Sequence, residues 1–269
     1  MLEYLSQSMI SSWELCPERF RRRFLEGEII PPGIAARIGT GVHKGAEINH
    51  IQKIHTGEDE PKDVIQDAAR DGYKKALEKG VFFAPGEAST AKKQLADGVD
   101  TVVTLAGLYR DSLAPQVQPT LVEETIYLDD SRLPIPFRGT IDVLAVDGKD
   151  RTWLPDIKTA SAKWGQSKAD ESPQASLYSR LVLEATGHWP DKVSFEVFVK
   201  TKTPAHQSVE TVRRPEDYDI LVVRAQAILA VIERGIFPPA QAGSWTCSPK
   251  WCGFWWSCKY IPTHKKDTR

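Results

Sequence analysis

The amino-acid sequence predicts a mixed α/β protein in which a helical N-terminal region leads into a sheet-and-helix core. Three observations carry this. Stretches of helical character fill about the first 115 residues, three β-branched runs follow between 121 and 159, and helices and strands then alternate to about residue 235. The chain has 269 residues, 41% of them hydrophobic and 26% charged, enough for a sizeable buried core.

Each element has a local reason. Residues 6–26 read as a helix, with Ser8 or Ser11 as candidate caps and Gly27 as its stop. A second helix spans 36–54 and carries His43. Two more follow at 61–79 and 89–113, the first opened by Pro61 at a favoured first-turn position. The runs 121–128 (LVEETIYL), 138–146 (RGTIDVLAV) and 152–159 (TWLPDIKT) are rich in β-branched residues, as strands are. The Asp-Gly step in 147–150 makes the last two an antiparallel hairpin. Pro173 opens a helix that Gly187 can end. Strands near 193–200 and 207–213 and a helix over 216–234 complete the core. A tail rich in Cys and Trp starts at Pro238.

The net charge is −1, so a nucleic-acid surface would need locally concentrated cations. Candidates are Arg19, Arg21, Arg22 and Arg23, then Lys200 and Lys202, then Arg213 and Arg214. No run approaches the ~18 apolar residues of a membrane helix. The first twenty residues lack the basic start and apolar run of a secretory signal, so a cytoplasmic protein is expected.

The hairpin carries the chemistry. Asp156 and Lys158 are two apart on a strand and share a face. A loop of Gly148, Lys149 and Asp150 would set Asp142 opposite Asp156, with Cβ atoms ~4.5–5.5 Å apart. Two carboxylates so placed repel unless a cation such as Mg²⁺ or Mn²⁺ lies between them. Lys158 would then add positive charge beside that metal, to orient water or stabilise a phosphate in displacement.

Asp142 after Ile141, the triplet Asp156-Ile157-Lys158, and Gln174 and Tyr178 at Q-x-x-x-Y spacing stand in one order. The set resembles the PD-(D/E)xK nuclease superfamily, and within it the RecB-like exonuclease branch. Gly41-Val42-His43 resembles the upstream histidine motif of that branch. The resemblance runs from about residue 6 to 260, with Ile141 in place of the signature's nominal proline. It implies a restriction-endonuclease-like core in which His43, Asp142, Asp156 and the Ile157 carbonyl hold one or two Mg²⁺ or Mn²⁺ ions. Lys158 would assist the attacking water, with Gln174 and Tyr178 positioning the DNA backbone. Either Glu123 or Glu124 is a candidate supporting acid.

The only cysteines are Cys16, Cys247, Cys252 and Cys258. Four thiolates are a full ligand set for Zn²⁺ or an iron–sulfur cluster. One remote cysteine with a C-terminal trio resembles the cluster-bearing CRISPR-associated exonucleases and the AddB nuclease domain, which implies a [4Fe–4S] cluster joining the two ends. Phe254, Trp255 and Trp256 are placed to shield it from water. The expected organisation is one integrated domain: 1–115 helical, 116–235 the nuclease core, and 236–269 the cysteine-rich tail.

The resulting expectation is a metal-dependent DNA exonuclease acting on single strands or ends, with 5′→3′ polarity implied by the cluster-bearing relatives. Two alternatives stand beside it. One is a non-cleaving DNA-binding assembly subunit; the other is an endonuclease of the same fold. Protein partners would come from recombination, replication or CRISPR adaptation.

Overall fold

Helix formation at the N-terminus is interrupted at Cys16, because the proline after it disfavours the helical conformation in the residue before it. The computed structural model describes residues 2–262; Met1 and 263–269, which include the end of the expected tail, lie outside the described residues. Instead of one helix over 6–26, α1 (Gln7–Leu15) stops at an extended Cys16, with φ −169° and ψ 106°. Helix α2 (Pro17–Phe20) and a π-helical turn (Arg21–Leu25) follow. The N-cap is Ser6, whose side chain accepts from the Met9 amide, not Ser8 or Ser11.

Helices α3 (Ile34–Thr56), α4 (Lys62–Glu78) and α5 (Ala91–Ser112) fall where expected, with Pro61 as the cap of α4 and not its first helical residue. Strands β1 (Gln118–Leu128), β2 (Phe137–Val146) and β3 (Thr152–Ala160) follow, then α6 (Gln166–Asp170), α7 (Pro173–Thr186), β4 (Lys192–Val199), β5 (Ala205–Thr211) and α8 (Pro215–Glu233). The five-residue α6 has too short an apolar pattern to be read from sequence.

The sheet is five-stranded, ordered β1-β2-β3-β4-β5. Only β3 and β4 run parallel, joined by the crossover through α6 and α7; the other neighbours are antiparallel. Each face of the sheet covers its own core. Helices α1, α7 and α8 pack with Leu154, Phe195 and Val197. Helices α3, α4 and α5 pack with Trp153, Ile157 and Phe198. Alternation along β3 and β4 thus sends consecutive residues into different cores. None of the helices among the described residues is long and apolar enough to cross a membrane.

The β2–β3 hairpin keeps the expected register but only briefly. Ala145 pairs with Trp153 and Val146 with Thr152, and the ladder then stops. Asp142 and Asp156 are therefore not ladder partners as the sequence suggested. The strands part before reaching them, which opens the gap where the candidate site lies.

Candidate active site

Groups from both cores meet in that gap. From α3, His43 Nε2 lies 2.8 Å from the Ile157 carbonyl, and its Nδ1 lies 3.0 Å from Asp142 Oδ2. A carbonyl and a carboxylate only accept, so this geometry has both ring nitrogens donating. Burial opposes the charged imidazolium, but the Asp142 carboxylate outweighs it and holds His43 above its ordinary pKa. Burial likewise works against ionised Asp142, yet His43 holds that carboxyl below its usual range.

From the opposite face, Gln174 on α7 donates to Asp156 Oδ1 at 2.9 Å. Ser172 and Pro173 begin that helix, so Gln174 lies in its first turn and Tyr178 one turn on, on the same face. Gln174 is thus a brace for Asp156, a role the sequence did not suggest. Lys158 Nζ stands 2.6 Å from Asp156 Oδ2, yet that buried oxygen accepts no aligned hydrogen bond. Burial pushes the Asp156 carboxyl up, Lys158 opposes it, and Asp142 adds to it. Burial and the same two carboxylates also push the Tyr178 phenol well up, so it remains a proton donor.

His43, Asp142, Ile157 and Lys158 line a cleft of about 1020 Å³ between α3, α4 and the parted strands, while Asp156, Gln174 and Tyr178 are not among its lining residues. Glu123, and not Glu124, lines it beside Asp142. Glu123 has φ 52°, a left-handed conformation costly for a side-chain-bearing residue, in the middle of β1. Burial raises its carboxyl, as do Asp142 and Glu47. The cleft wall also carries Lys75 and Lys79. Neither lysine stands among the sequence-based candidates; their four-residue spacing at the end of α4, with Lys79 as its cap, is the signal that could have found them.

The donor set fits a hard divalent cation: the Asp142 carboxylate, the Asp156 carboxylate whose buried Oδ2 accepts no aligned hydrogen bond, the Ile157 carbonyl, and the His43 imidazole once a cation replaces one of its protons. The four cysteines line one cavity of about 30 Å³, with Phe254 and Trp255 beside them; Trp256 is not among its lining residues. Cys16 Sγ accepts from the Arg19 amide at 3.4 Å, and a Phe254 backbone hydrogen bond likewise favours the Cys252 thiolate against its burial. Such N–H···S contacts suit ligating thiolates. Among the described residues, however, no three His, Cys, Asp or Glu side chains are drawn into a closed metal-holding group. Of the candidate basic clusters, Arg213 donates to the carbonyls of Ala169 and Ser172, a structural role.

No curated protein matches the chain. A crystal structure of a candidate exonuclease from Eubacterium rectale superposes with TM-score 0.61 at 10% identity, covering 97% of this chain and 90% of that one. A crystal structure of SSO0001 aligns with TM-score 0.42 at 15% identity, covering 98% and 89%, too loosely to carry an argument. The PD-(D/E)XK nuclease superfamily matches residues 4–259, and its members generally use divalent metals. The chain belongs to the PD-(D/E)XK nuclease superfamily.

Proposed function

We propose that this chain is a Mg²⁺- or Mn²⁺-dependent DNA exonuclease of the RecB-like branch, acting on single strands or ends. The observation that carries the reading is the convergence of His43, Asp142, Asp156, the Ile157 carbonyl and Lys158 where β2 and β3 part. His43, Asp142, Asp156 and the Ile157 carbonyl would hold the cation. Bound there, it supplies a Lewis acid for the phosphate and lowers the pKa of a water. Lys158 places a fixed positive charge beside Asp156, where an attacking water is oriented and phosphate charge is offset. Gln174 keeps Asp156 aimed into the site, and the Tyr178 phenol is placed to donate to a phosphate oxygen. Lys75 and Lys79 add cleft charge that attracts the backbone.

The four cysteines on one cavity support a structural [4Fe–4S] cluster between the N-terminal segment and the tail. Polarity 5′→3′ follows from the resemblance to cluster-bearing nucleases, and an integrated single domain from cores that span the sequence. A cytoplasmic location and partners from recombination, replication or CRISPR adaptation complete the reading.

The test is end-labelled linear DNA, single- and double-stranded, with Mn²⁺ or EDTA, beside a covalently closed circle. Degradation of the linear substrates in Mn²⁺ alone is expected. A cut circle would make the protein an endonuclease, and no metal-dependent cleavage of any substrate would leave a binding subunit. Anaerobically purified protein should contain iron and sulfide; zinc without iron would remove the cluster.

A further inference from the structure

The arginine run divides into two pairs with different fates. Arg21 is committed to Glu18 at 2.8 Å and to Glu26, and Arg22 hydrogen-bonds Glu28 at 2.8 Å through Nε. Arg19 and Arg23, one helical turn apart, have no carboxylate partner among the described residues. Both line a second groove of about 440 Å³. Its surroundings, and then the neighbouring Arg19 charge, hold the Arg23 guanidinium below its usual range. Arg19 also lines the cysteine cavity, whereas Arg23 does not, and two like charges kept together without a carboxylate partner attract anions.

Aromatic rings share the groove with these cations. Phe82, Phe83 and Trp251 line it, as does Lys250, whose Nζ stands 5.2 Å from the centre of the Trp251 ring. Trp251 is 51% exposed and is held edge-on by Trp245, with ring centres 5.2 Å apart. The acidic lining residue Glu87 is turned to the Ala84 amide, from which its carboxylate accepts at 2.9 Å. The groove also adjoins the cleft, because Ala35 and Ala36 line both. From Ala36 to His43 is seven residues of α3, ~10 Å along the helix.

We infer that this groove binds a single-stranded extension of the DNA substrate, with phosphates on Arg19, Arg23 and Lys250 and a base stacked on Trp251. A duplex offers no exposed base faces for a ring to stack on, so cations interleaved with aromatics favour an unpaired strand. Two of the groove's lining residues, Lys250 and Trp251, come from the segment between Cys247 and Cys252, which gives the cysteine tail a part in substrate binding beyond closing the fold. The inference rests on the nuclease reading for the direction of the strand into the cleft, though not for its binding.

Fluorescent oligothymidylates of about four and about sixteen nucleotides, bracketing a typical single-strand site, provide the test. Anisotropy titrations in Ca²⁺ buffer compare the full-length chain with Arg19→Gln/Arg23→Gln and, separately, with Trp251→Ala. The exposed position of Trp251 keeps the second variant folded even if the first is not. Each variant should bind the long oligonucleotide about ten-fold more weakly, with little change on the short one. The arginine variant should also lower the salt dependence, by ~0.7 in log–log slope for each phosphate it no longer neutralises. Unchanged binding of the long strand by both variants overturns the groove, even if the parent cleaves DNA in Mn²⁺. A parent that shows the length-dependent binding but no cleavage keeps the groove and ends the nuclease reading. A parent that binds no DNA overturns both.

Discussion

Asp142 and Glu123 line one cleft with Asp156 buried behind it, and the Asp142 charge disfavours that of both neighbours, so substitutions there separate their roles. Asp142→Asn keeps the side-chain volume and removes a repulsion with Asp156, but it also breaks the ion pair with His43 that holds the Asp142 carboxyl below its usual range, so its thermal midpoint should fall at neutral pH. Its Mn²⁺ affinity and cleavage should fall, with cleavage down by ~10²-fold or more, as for other lost electrostatic groups. Lys158→Met should match that loss in rate while leaving metal binding intact; a Lys158→Met protein that cleaves at the parent rate would end the mechanism. Glu123→Gly tests a different balance. At φ 52° glycine relieves about 1 kcal/mol of backbone cost, so the variant should melt at or above the parent temperature. Its Mn²⁺ affinity, read by calorimetry, should drop if the strain serves the site. A less stable variant with parent metal affinity would make Glu123 merely structural. His43, Asp142 and the Asp156–Lys158 pair could be read from sequence because strand alternation and motif order fix them. Glu123 could be read only as one of two candidates with Glu124, since nothing in its neighbours encodes the left-handed residue inside a strand that turns it into the cleft.

Elements reach the site through close backbone contact as much as through side chains. Helices α3 and α4 cross at Gly41, Gly45 and Gly72. A Cβ on Gly41 would stand 2.7 Å from the Ala69 carbonyl oxygen and 2.9 Å from Tyr73 Cβ. Gly41 lies two residues before His43, so moving α3 outward also moves the imidazole away from Ile157 and Asp142. Gly41→Ala should therefore cost ~1–3 kcal/mol by overpacking, despite its better helix propensity. It should weaken Mn²⁺ binding in parallel; thermal melts and metal titrations on one preparation check both. A variant with raised stability and unchanged metal affinity would show that the crossing tolerates the methyl group. The hairpin shows what an element's sequence leaves open. Its Asp-Gly turn gave the correct register at Ala145–Trp153, but the turn does not encode the early end of the ladder, beyond which His43 of α3 and Gln174 of α7 hydrogen-bond β3 from opposite faces. The break at Cys16 was legible in Pro17, yet the helical pattern on either side masked it.

Across the whole molecule, two linkages should set stability. The cysteines span from residue 16 to 258, and a cluster bridging them would close more than two hundred residues of chain, restricting the unfolded state by a few kcal/mol. Cys16→Ser should accordingly lower both bound iron and the melting temperature under anaerobic conditions; full iron content in that variant would exclude Cys16 as a ligand. The second linkage is to protons. Beneath the site, His50 is 2% exposed and its Nε2 lies 2.9 Å from the Tyr109 hydroxyl. Burial, then the Lys53 charge, push its pKa down from 6.5 to about 4; His43 adds to this, while Asp59 and Asp142 oppose it. Between those two values the unfolded chain binds a proton that the folded chain refuses. Stability from this group is complete above 6.5 and is lost as pH falls toward 4, on the order of 3 kcal/mol in all. Asp130, held far below the usual carboxylate range by Arg132, acts in the same direction but at lower pH, so the two windows separate. Denaturant midpoints measured from pH 7 to 4 should fall steadily for the parent. His50→Asn, less stable at pH 7 through loss of packing, should show a visibly flatter slope over that range. An equal slope in both proteins would mean that another group carries the acid sensitivity, and that the network of Asn49, His50, Lys53, Asp59 and Tyr109 relaxes to admit the proton.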